Sequence, residues 1–222
     1  MILSQRLGEW CGHGPVLEED LALTNIALDL LGQARLWYGL VPGDEDELAF
    51  LRDAGAYRNL LLVEQANGDY AHTMARQLYF DAWHLLLLEQ LRGSAETAIA
   101  EIAAKAAPEI AYHLRRSRDW VVRLGDGTEE SHGRMQRAID DLWAYTGEMF
   151  TPDGVDASFC DLAALKAPWR EQMEKTLGEA TLEVPKDNWA QRGGKQGVHS
   201  EGLGHLLAEM QFLQRAYPGE KW

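Results

Sequence analysis

Cysteine and basic residues are scarce in this chain of 222 residues. It has two cysteines, Cys11 and Cys160, without the paired spacing of a zinc-binding motif. We therefore expect a reducing, cytoplasmic environment and no cysteine-based metal site. Lysine and arginine number 21 against 35 aspartates and glutamates, so the formal net charge is −14. So acidic a chain is a poor partner for nucleic acid or an anionic membrane, since both require a basic surface.

Long hydrophobic runs are also missing. The four leucines at 85–88 are followed at once by Glu89, and this run is far shorter than the roughly 20 residues that cross a bilayer. The N-terminus lacks the basic segment followed by an apolar one that marks a signal peptide. With 46% hydrophobic and 25% charged residues, the composition is typical of a soluble globular domain with a sizeable core.

Strand-like alternation does not occur, and helical periodicity dominates the sequence. In the second predicted helix, Leu21, Leu28 and Leu31 mark the stripe that we expect to be buried. Connections are short except for an irregular segment at 183–199. These features predict one all-α domain over 1–222, with a helical bundle at its centre and extra helices around it. The predicted helices cover residues 2–11, 16–39, 46–66, 69–92, 95–124, 129–150, 156–182 and 201–216.

Acidic residues and histidines inside two predicted helices raise the question of a metal site. A di-metal bundle uses a Glu from each of two helices and Glu-x-x-His from each of two others, because residues i and i+3 share a helix face. Asp81 and His84 have this spacing, whereas His113 has Ile110 at i−3 and its acid, Glu109, at i−4. The ligand set is therefore incomplete. A buried hydrogen-bonded pair explains Asp81 and His84 equally well.

The segment RGGKQGVHSEG at 192–202 is a candidate for binding a phosphate. It combines Arg192 and Lys195 with three glycines just before a predicted helix N-terminus, where backbone N–H groups can face an anion. The spacing does not match a P-loop. The alternative is a loop that docks against the bundle or against a partner.

Five motifs carry a resemblance to a known family. They read LSQRLGEWCGH, LDLLGQAR, NLLLVEQANGDYAHTMARQ, YHLRRSRDW and GGKQGVHSEGLGHLLAEMQFLQR. Together they resemble the structural C subunits of bacterial phenylacetyl-CoA epoxidase, a multicomponent monooxygenase of phenylacetate degradation. The resemblance spans essentially the whole chain. Members of the family usually carry a short further stretch before the first motif, so a truncated or differently assigned start is one expectation.

The resemblance implies a ferritin-like fold and a partner, the catalytic A subunit, which is similar in fold and carries the di-iron centre. No cofactor is then expected in this chain. On the catalytic subunit's pattern, Leu30 and Gln33 stand where one Glu-x-x-His would be. Ile110 replaces the Glu of the second, His113 keeps its His, and Asp81 keeps a carboxylate position. The resemblance thus implies a vestigial metal site.

The resemblance also implies that residues 53–73 lie near the point where an acyl-CoA, phenylacetyl-CoA, meets the subunit interface. Tyr57, Arg58 and Asn59 are the candidate contacts there, together with Arg192 and Lys195 of the glycine-rich segment. Ordinary helix packing, with Arg58 in a surface ion pair, is the alternative for this segment.

Two other functions stay open on the sequence. One is a di-metal oxidase or oxygenase in its own right, although the missing Glu-x-x-His pairs argue against it. The other is an acyl-CoA-binding module that acts alone, which predicts CoA affinity in the isolated chain. The ligands in the first alternative would be Asp29, Asp81, His84, Glu109 and His113.

Overall fold

The computed structural model describes residues 1–187 and 189–220, and these form α-helices joined by short 3-10 or π-helical turns, with no strand. The predicted fold class, an all-α ferritin-like bundle with extra helices, is confirmed. The α-helices of the described residues are α1 Ile2–Gly8, α2 Leu17–Tyr38, α3 Tyr70–Leu91, α4 Thr97–Gly125, α5 Glu129–Trp143, α6 Lys166–Glu179, α7 Glu201–Met210 and α8 Phe212–Ala216.

Tertiary contacts divide the chain into two compact units. The first unit comprises residues 1–66 and the C-terminal segment that begins at Gly193. The second unit comprises residues 67–192. The single domain expected over 1–222 stays a prediction.

The second unit is built around α3, which packs against α4, α5 and α6. Its centre holds an aromatic cluster in which the rings of Trp143 and Trp169 lie 5.5 and 5.7 Å from that of Tyr79. The polar atoms of these rings are also satisfied. The Tyr79 hydroxyl donates to the carbonyl of Ile139 at 3.0 Å, and Trp169 Nε1 donates to the carbonyl of Tyr79 at 3.0 Å. Buried side chains of this size contribute about 1.5–3 kcal/mol each, so the cluster anchors the unit.

Local signals fix the ends of the helices in this unit. The carboxylate of Asp69 accepts a hydrogen bond from the backbone N–H of His72 at 3.0 Å and so caps α3. Thr128 and Ser131 form a reciprocal capping box at the start of α5. These caps explain why the predicted and observed starts of both helices agree closely.

The first unit contains α1, α2, α7, α8 and the turns between α2 and α3. α1 packs against α2, against the turn at Leu61–Glu64 and against α7. Its core includes Leu7, Leu23, Leu62 and Leu203, all of which are fully buried.

The helix predicted over 46–66 is wrong. A π-helical turn at Glu47–Leu51 and 3-10 turns at Ala54–Ala56 and Leu61–Glu64 replace it, with extended backbone at Tyr57 between them. The Tyr57 hydroxyl donates to the carbonyl of Ala49, a contact that a continuous helix could not make. Tertiary contacts here override a helical pattern in the sequence.

Other predicted helices have different boundaries. The carboxylate of Asp153 accepts hydrogen bonds from the N–H groups of Val155 and Asp156, which fixes a turn where a helix was predicted to begin at 156. That helix begins only at Lys166. The predicted 129–150 helix ends at Trp143, the first ends at Gly8 instead of 11, and the last is divided at Gln211.

The buried stripe predicted for α2 is also wrong. Leu21 and Leu28 are exposed, and Leu31 is only partly buried. The helix instead buries a stripe that includes Leu23, Ile26 and Leu30. Apolar residues occupy two faces of α2, so periodicity alone could not decide which face meets the core.

Within residues 1–187 and 189–220, none of the helices combines the length and the apolar character needed to cross a bilayer.

Candidate functional site

Asp81, which the family resemblance predicts to be the retained carboxylate of a vestigial site, lies in the middle of α3 and is 1% exposed. Its Oδ2 accepts a hydrogen bond from Ser117 Oγ of α4 at 2.9 Å, whereas its Oδ1 has no hydrogen-bond partner among the described residues. Burial raises the pKa of Asp81 to about 8, against smaller lowering effects of the Ser117 bond and the charge of Arg116. The carboxyl is therefore mostly neutral near pH 7.

His84 follows Asp81 by one turn of α3, but the two side chains do not form the hydrogen bond that their spacing predicted. Asp81 bonds to Ser117 instead. The Nδ1 atom of His84 is enclosed and has no partner among the described residues, while the centroid of the tilted Phe80 ring lies 5.1 Å from that of the imidazole. Burial, together with the charge of His113, lowers the pKa of His84 to about 3, so the ring stays neutral.

The neighbouring helix α4 carries Ile110 and His113, and both side chains are fully buried. The side chain three residues before His113 is that of an isoleucine, which has no atom that can bind a metal ion. Leu30 and Gln33, whose vestigial role stays a prediction, are buried on α2 in the first unit. Within the second unit, Ile110 lacks the carboxylate that a Glu-x-x-His pair of a di-iron centre requires three residues before His113.

The di-metal alternative named two further ligands, Asp29 and Glu109. Asp29 and Glu109 are both partly exposed and lie in different units. Across the described part of the chain, no group of three or more His, Cys, Asp and Glu side chains is arranged to hold a metal ion.

In the first unit, the fully buried carboxylate of Glu64 forms hydrogen bonds with two segments that the sequence predicts to bind substrate, around residues 57–59 and 192–202. Its Oε1 accepts from Asn59 Nδ2 at 2.8 Å and lies 2.5 Å from His199 Nδ1. Its Oε2 accepts from the backbone N–H and the hydroxyl of Ser200 at 2.8 and 2.7 Å. Glu64 thereby ties the glycine-rich segment to the segment that contains Asn59.

Sequence reasoning missed Glu64. The available signal was an acidic residue at the end of the apolar run LLLVE, because a charge in such a run needs partners when it is buried. The partners themselves were not predictable, since His199 lies 135 residues away along the chain.

The glycines of the segment serve close packing within the first unit. A Cβ atom on Gly194 would lie 2.0 Å from the carbonyl oxygen of Asn59, and one on Gly197 would lie 2.5 Å from that of Gly55. Gly197 also has a positive φ of 80°. The N–H groups of residues 196, 197 and 198 donate to carbonyls inside the loop, so they are not free to face a phosphate in this conformation.

Tyr57 and Arg58 are engaged mainly with the chain itself. The Tyr57 hydroxyl accepts from Gln211 Nε2 at 3.0 Å, and the Arg52 guanidinium lies 4.4 Å from the centre of the Tyr57 ring. Arg58 is exposed, but its Nη1 donates to the carbonyls of Gly55 and Tyr57 at 2.7 Å each. The surface ion pair considered for Arg58 is replaced by these backbone contacts.

The basic residues of the glycine-rich segment fall into different units. Lys195 is partly buried in the first unit, close in sequence to the packed glycines. Arg192 belongs to the second unit, where it is exposed at a cleft of about 340 Å³ that Trp143, Lys166 and Trp189 also line. The structure therefore joins Tyr57, Arg58 and Asn59 to the loop around Lys195. The role of all five in substrate binding stays a prediction.

Comparison with known proteins identifies the family to which this helical bundle belongs. The chain belongs to the family described as phenylacetic acid catabolic protein, whose model matches residues 1–222. It is 50% identical to the C subunit of the 1,2-phenylacetyl-CoA epoxidase of Escherichia coli strain K12, over 233 aligned positions that cover 100% of this chain and 94% of that protein. The family resemblance read from the sequence motifs is thereby confirmed, and it connects the chain with phenylacetate catabolism.

Proposed function

We propose that this chain is a non-catalytic, structural subunit of a phenylacetyl-CoA epoxidase of aerobic phenylacetate degradation, and that it binds and stabilises the catalytic A subunit. The observation that carries the proposal is the 50% identity to an epoxidase C subunit along the full length of the chain. The residues of α4 support it, because the buried Ile110 occupies the position three residues before His113 and has no atom that can bind a metal ion. The proposed location is the cytoplasm.

In this proposal the di-iron centre belongs to the A subunit, where it supplies the oxygen chemistry. The residues of this chain supply a rigid surface. Ile110 packs the centre of the second unit, while the Ser117 hydroxyl satisfies one oxygen of Asp81 without a metal ion. In the first unit the Glu64 network fixes the position of residues 57–64.

We further propose that the chain helps to form the channel for the acyl-CoA at the interface between subunits. Arg58 and Arg192 are exposed cations that can approach the phosphates of CoA, and Lys195 is the third basic candidate. Tyr57 and Asn59 hold the backbone beside Arg58 through their hydrogen bonds to Ala49 and Glu64.

Reconstitution with the A subunit of the same organism tests this function. The chain and the A subunit, mixed in vitro with the reductase components, are expected to co-elute and to epoxidise phenylacetyl-CoA, whereas either subunit alone is inactive. Phenylacetyl-CoA is expected to bind the pair more tightly than this chain alone. Failure to co-elute would overturn the scaffolding role, and full CoA affinity of the isolated chain would favour a module that acts alone.

A further inference from the structure

α2 presents leucines to solvent on a face that its buried stripe does not use. Leu17, Leu21 and Leu28 are 70%, 55% and 60% exposed. Their spacing of four and seven residues sets them in one line along the helix. Single exposed leucines are ordinary on a protein surface, but a line of three on one helix forms a patch that marks an interaction site.

Gly32 continues the same face one turn beyond Leu28. A Cβ atom added there would meet no atom of the described chain within 4 Å, so packing inside the chain does not require a glycine. Glycine is also among the poorest residues for the interior of a helix, and Gly32 weakens α2 without a compensating contact. An exposed glycine does allow the backbone of a second helix to approach closely.

The charges around this face favour one kind of partner. Residues 17–34 contain no lysine, arginine or histidine, and Glu18 is exposed beside Leu17. The same stretch carries three further carboxylates, those of Glu19, Asp20 and Asp29. Arg35 lies on the same line seven residues after Leu28, where it pairs with Glu45 at 2.7 Å. A second copy of this chain would place like charges against each other, in a protein whose net charge is already −14. A partner helix flanked by basic side chains would face opposite charges instead.

We propose that Leu17, Leu21, Leu28 and Gly32 form a docking face for a helix of the catalytic A subunit, with basic side chains of that helix beside Glu18. Apolar positions spaced by four and seven residues suit a helix that crosses α2 at a small angle. The glycine marks the closest approach of the two backbones. This inference rests on the proposed function and adds to it the surface through which the two subunits meet.

Two variants of the full chain test the docking face by affinity for the A subunit. Leu28→Asp places a charge on the exposed leucine line and is expected to weaken binding at least tenfold, with the melting temperature of the isolated chain unchanged. Gly32→Ala is expected to raise that melting temperature by a few degrees, because alanine favours the helix, and yet to weaken binding. The matched control is Val155→Asp, at an exposed apolar residue of the second unit that should leave binding unchanged.

The outcomes separate this inference from the proposed function. If the wild-type chain does not bind the A subunit, the proposed function itself fails. If the wild-type chain binds and both α2 variants bind equally well, the docking face is wrong while the subunit role stands. If the isolated chain is a dimer that Leu28→Asp converts to a monomer, the face belongs to a second copy and the inference is overturned.

Discussion

At the scale of single residues, two buried carboxylates have opposite surroundings. Glu64 receives hydrogen bonds from Asn59 and Ser200 and lies against His199, whereas Asp81 receives one from Ser117 and leaves Oδ1 without a partner among the described residues. A buried charge is stable only when donors surround it. Asp81 is thus held as a neutral acid, and Glu64 acts as the centre of a network.

Replacing Asp81 with asparagine is expected to stabilise the fold increasingly as the pH rises. The pKa of Asp81 is about 8 in the folded chain and 3.8 when unperturbed, so the unfolded chain releases this proton at a lower pH. Well below pH 3.8 both the folded and the unfolded chain hold the proton, and ionisation of Asp81 does not affect stability. Between pH 4 and 8 the wild type loses stability relative to Asp81→Asn, by on the order of a few kcal/mol at pH 8.

Urea unfolding at pH 4, 6 and 8 measures this difference in the free energy of unfolding. The matched control is Asp119→Asn, since the Asp119 side chain is 62% exposed on the neighbouring α4. A gain for Asp81→Asn that is the same at all three pH values would contradict a raised pKa.

Replacing Glu64 with glutamine is expected to destabilise the first unit. The amide group can accept from Asn59, but its NH₂ group then faces the two donors of Ser200. We expect a loss of about 2–4 kcal/mol in the free energy of unfolding, measured by urea titration. Glu201→Gln serves as the control because its side chain is 94% exposed. Equal stability of the two variants would show that the Glu64 network is not a structural centre.

At the scale of elements, the sequence predicts helices whose ends are fixed by residues close by in the chain. The long helices α2, α3 and α4 were found within two or three residues of their ends, and the carboxylate cap at Asp69 is a local signal of this kind. The false helix over 46–66 shows the opposite case, because the hydroxyl of Tyr57 and the side chain of Gln211 fix its turns from a distance. The vestigial roles that the family motifs assign to Leu30, Gln33 and Ile110 stay predictions. The hydrogen bond from Ser117 to Asp81 could not be predicted from those motifs.

The glycine-rich loop gives a prediction at this scale. Gly194→Ala would push a Cβ atom to 2.0 Å from the carbonyl oxygen of Asn59, so the loop must move away from residues 59–61. We expect a loss of about 1–3 kcal/mol in the free energy of unfolding. Gly204→Ala in α7 is the matched control, since a Cβ there meets nothing within 4 Å and alanine favours the helix by up to about 1 kcal/mol. Equal changes in the free energy of unfolding for Gly194→Ala and Gly204→Ala would show that the loop does not depend on close packing.

At the scale of the whole molecule, the chain combines a largely apolar interior with an acidic surface. The net charge of −14 is unfavourable for phosphate backbones and for contact between two copies, but it suits a partner with a basic surface. The exposed leucines of α2 add an apolar face to that surface. Both features are expected of a subunit that works in an assembly.

The iron content of the isolated chain and of its complex with the A subunit tests this account most directly. Both samples should come from cells grown with ample iron and be purified without a chelator. We predict a folded, helical isolated chain with essentially no iron, and a complex whose iron is retained by the A subunit when the two are separated. A stoichiometric pair of iron ions in the isolated chain, lost in Asp81→Ala while the fold is kept, would contradict the account and identify the chain as a di-metal enzyme.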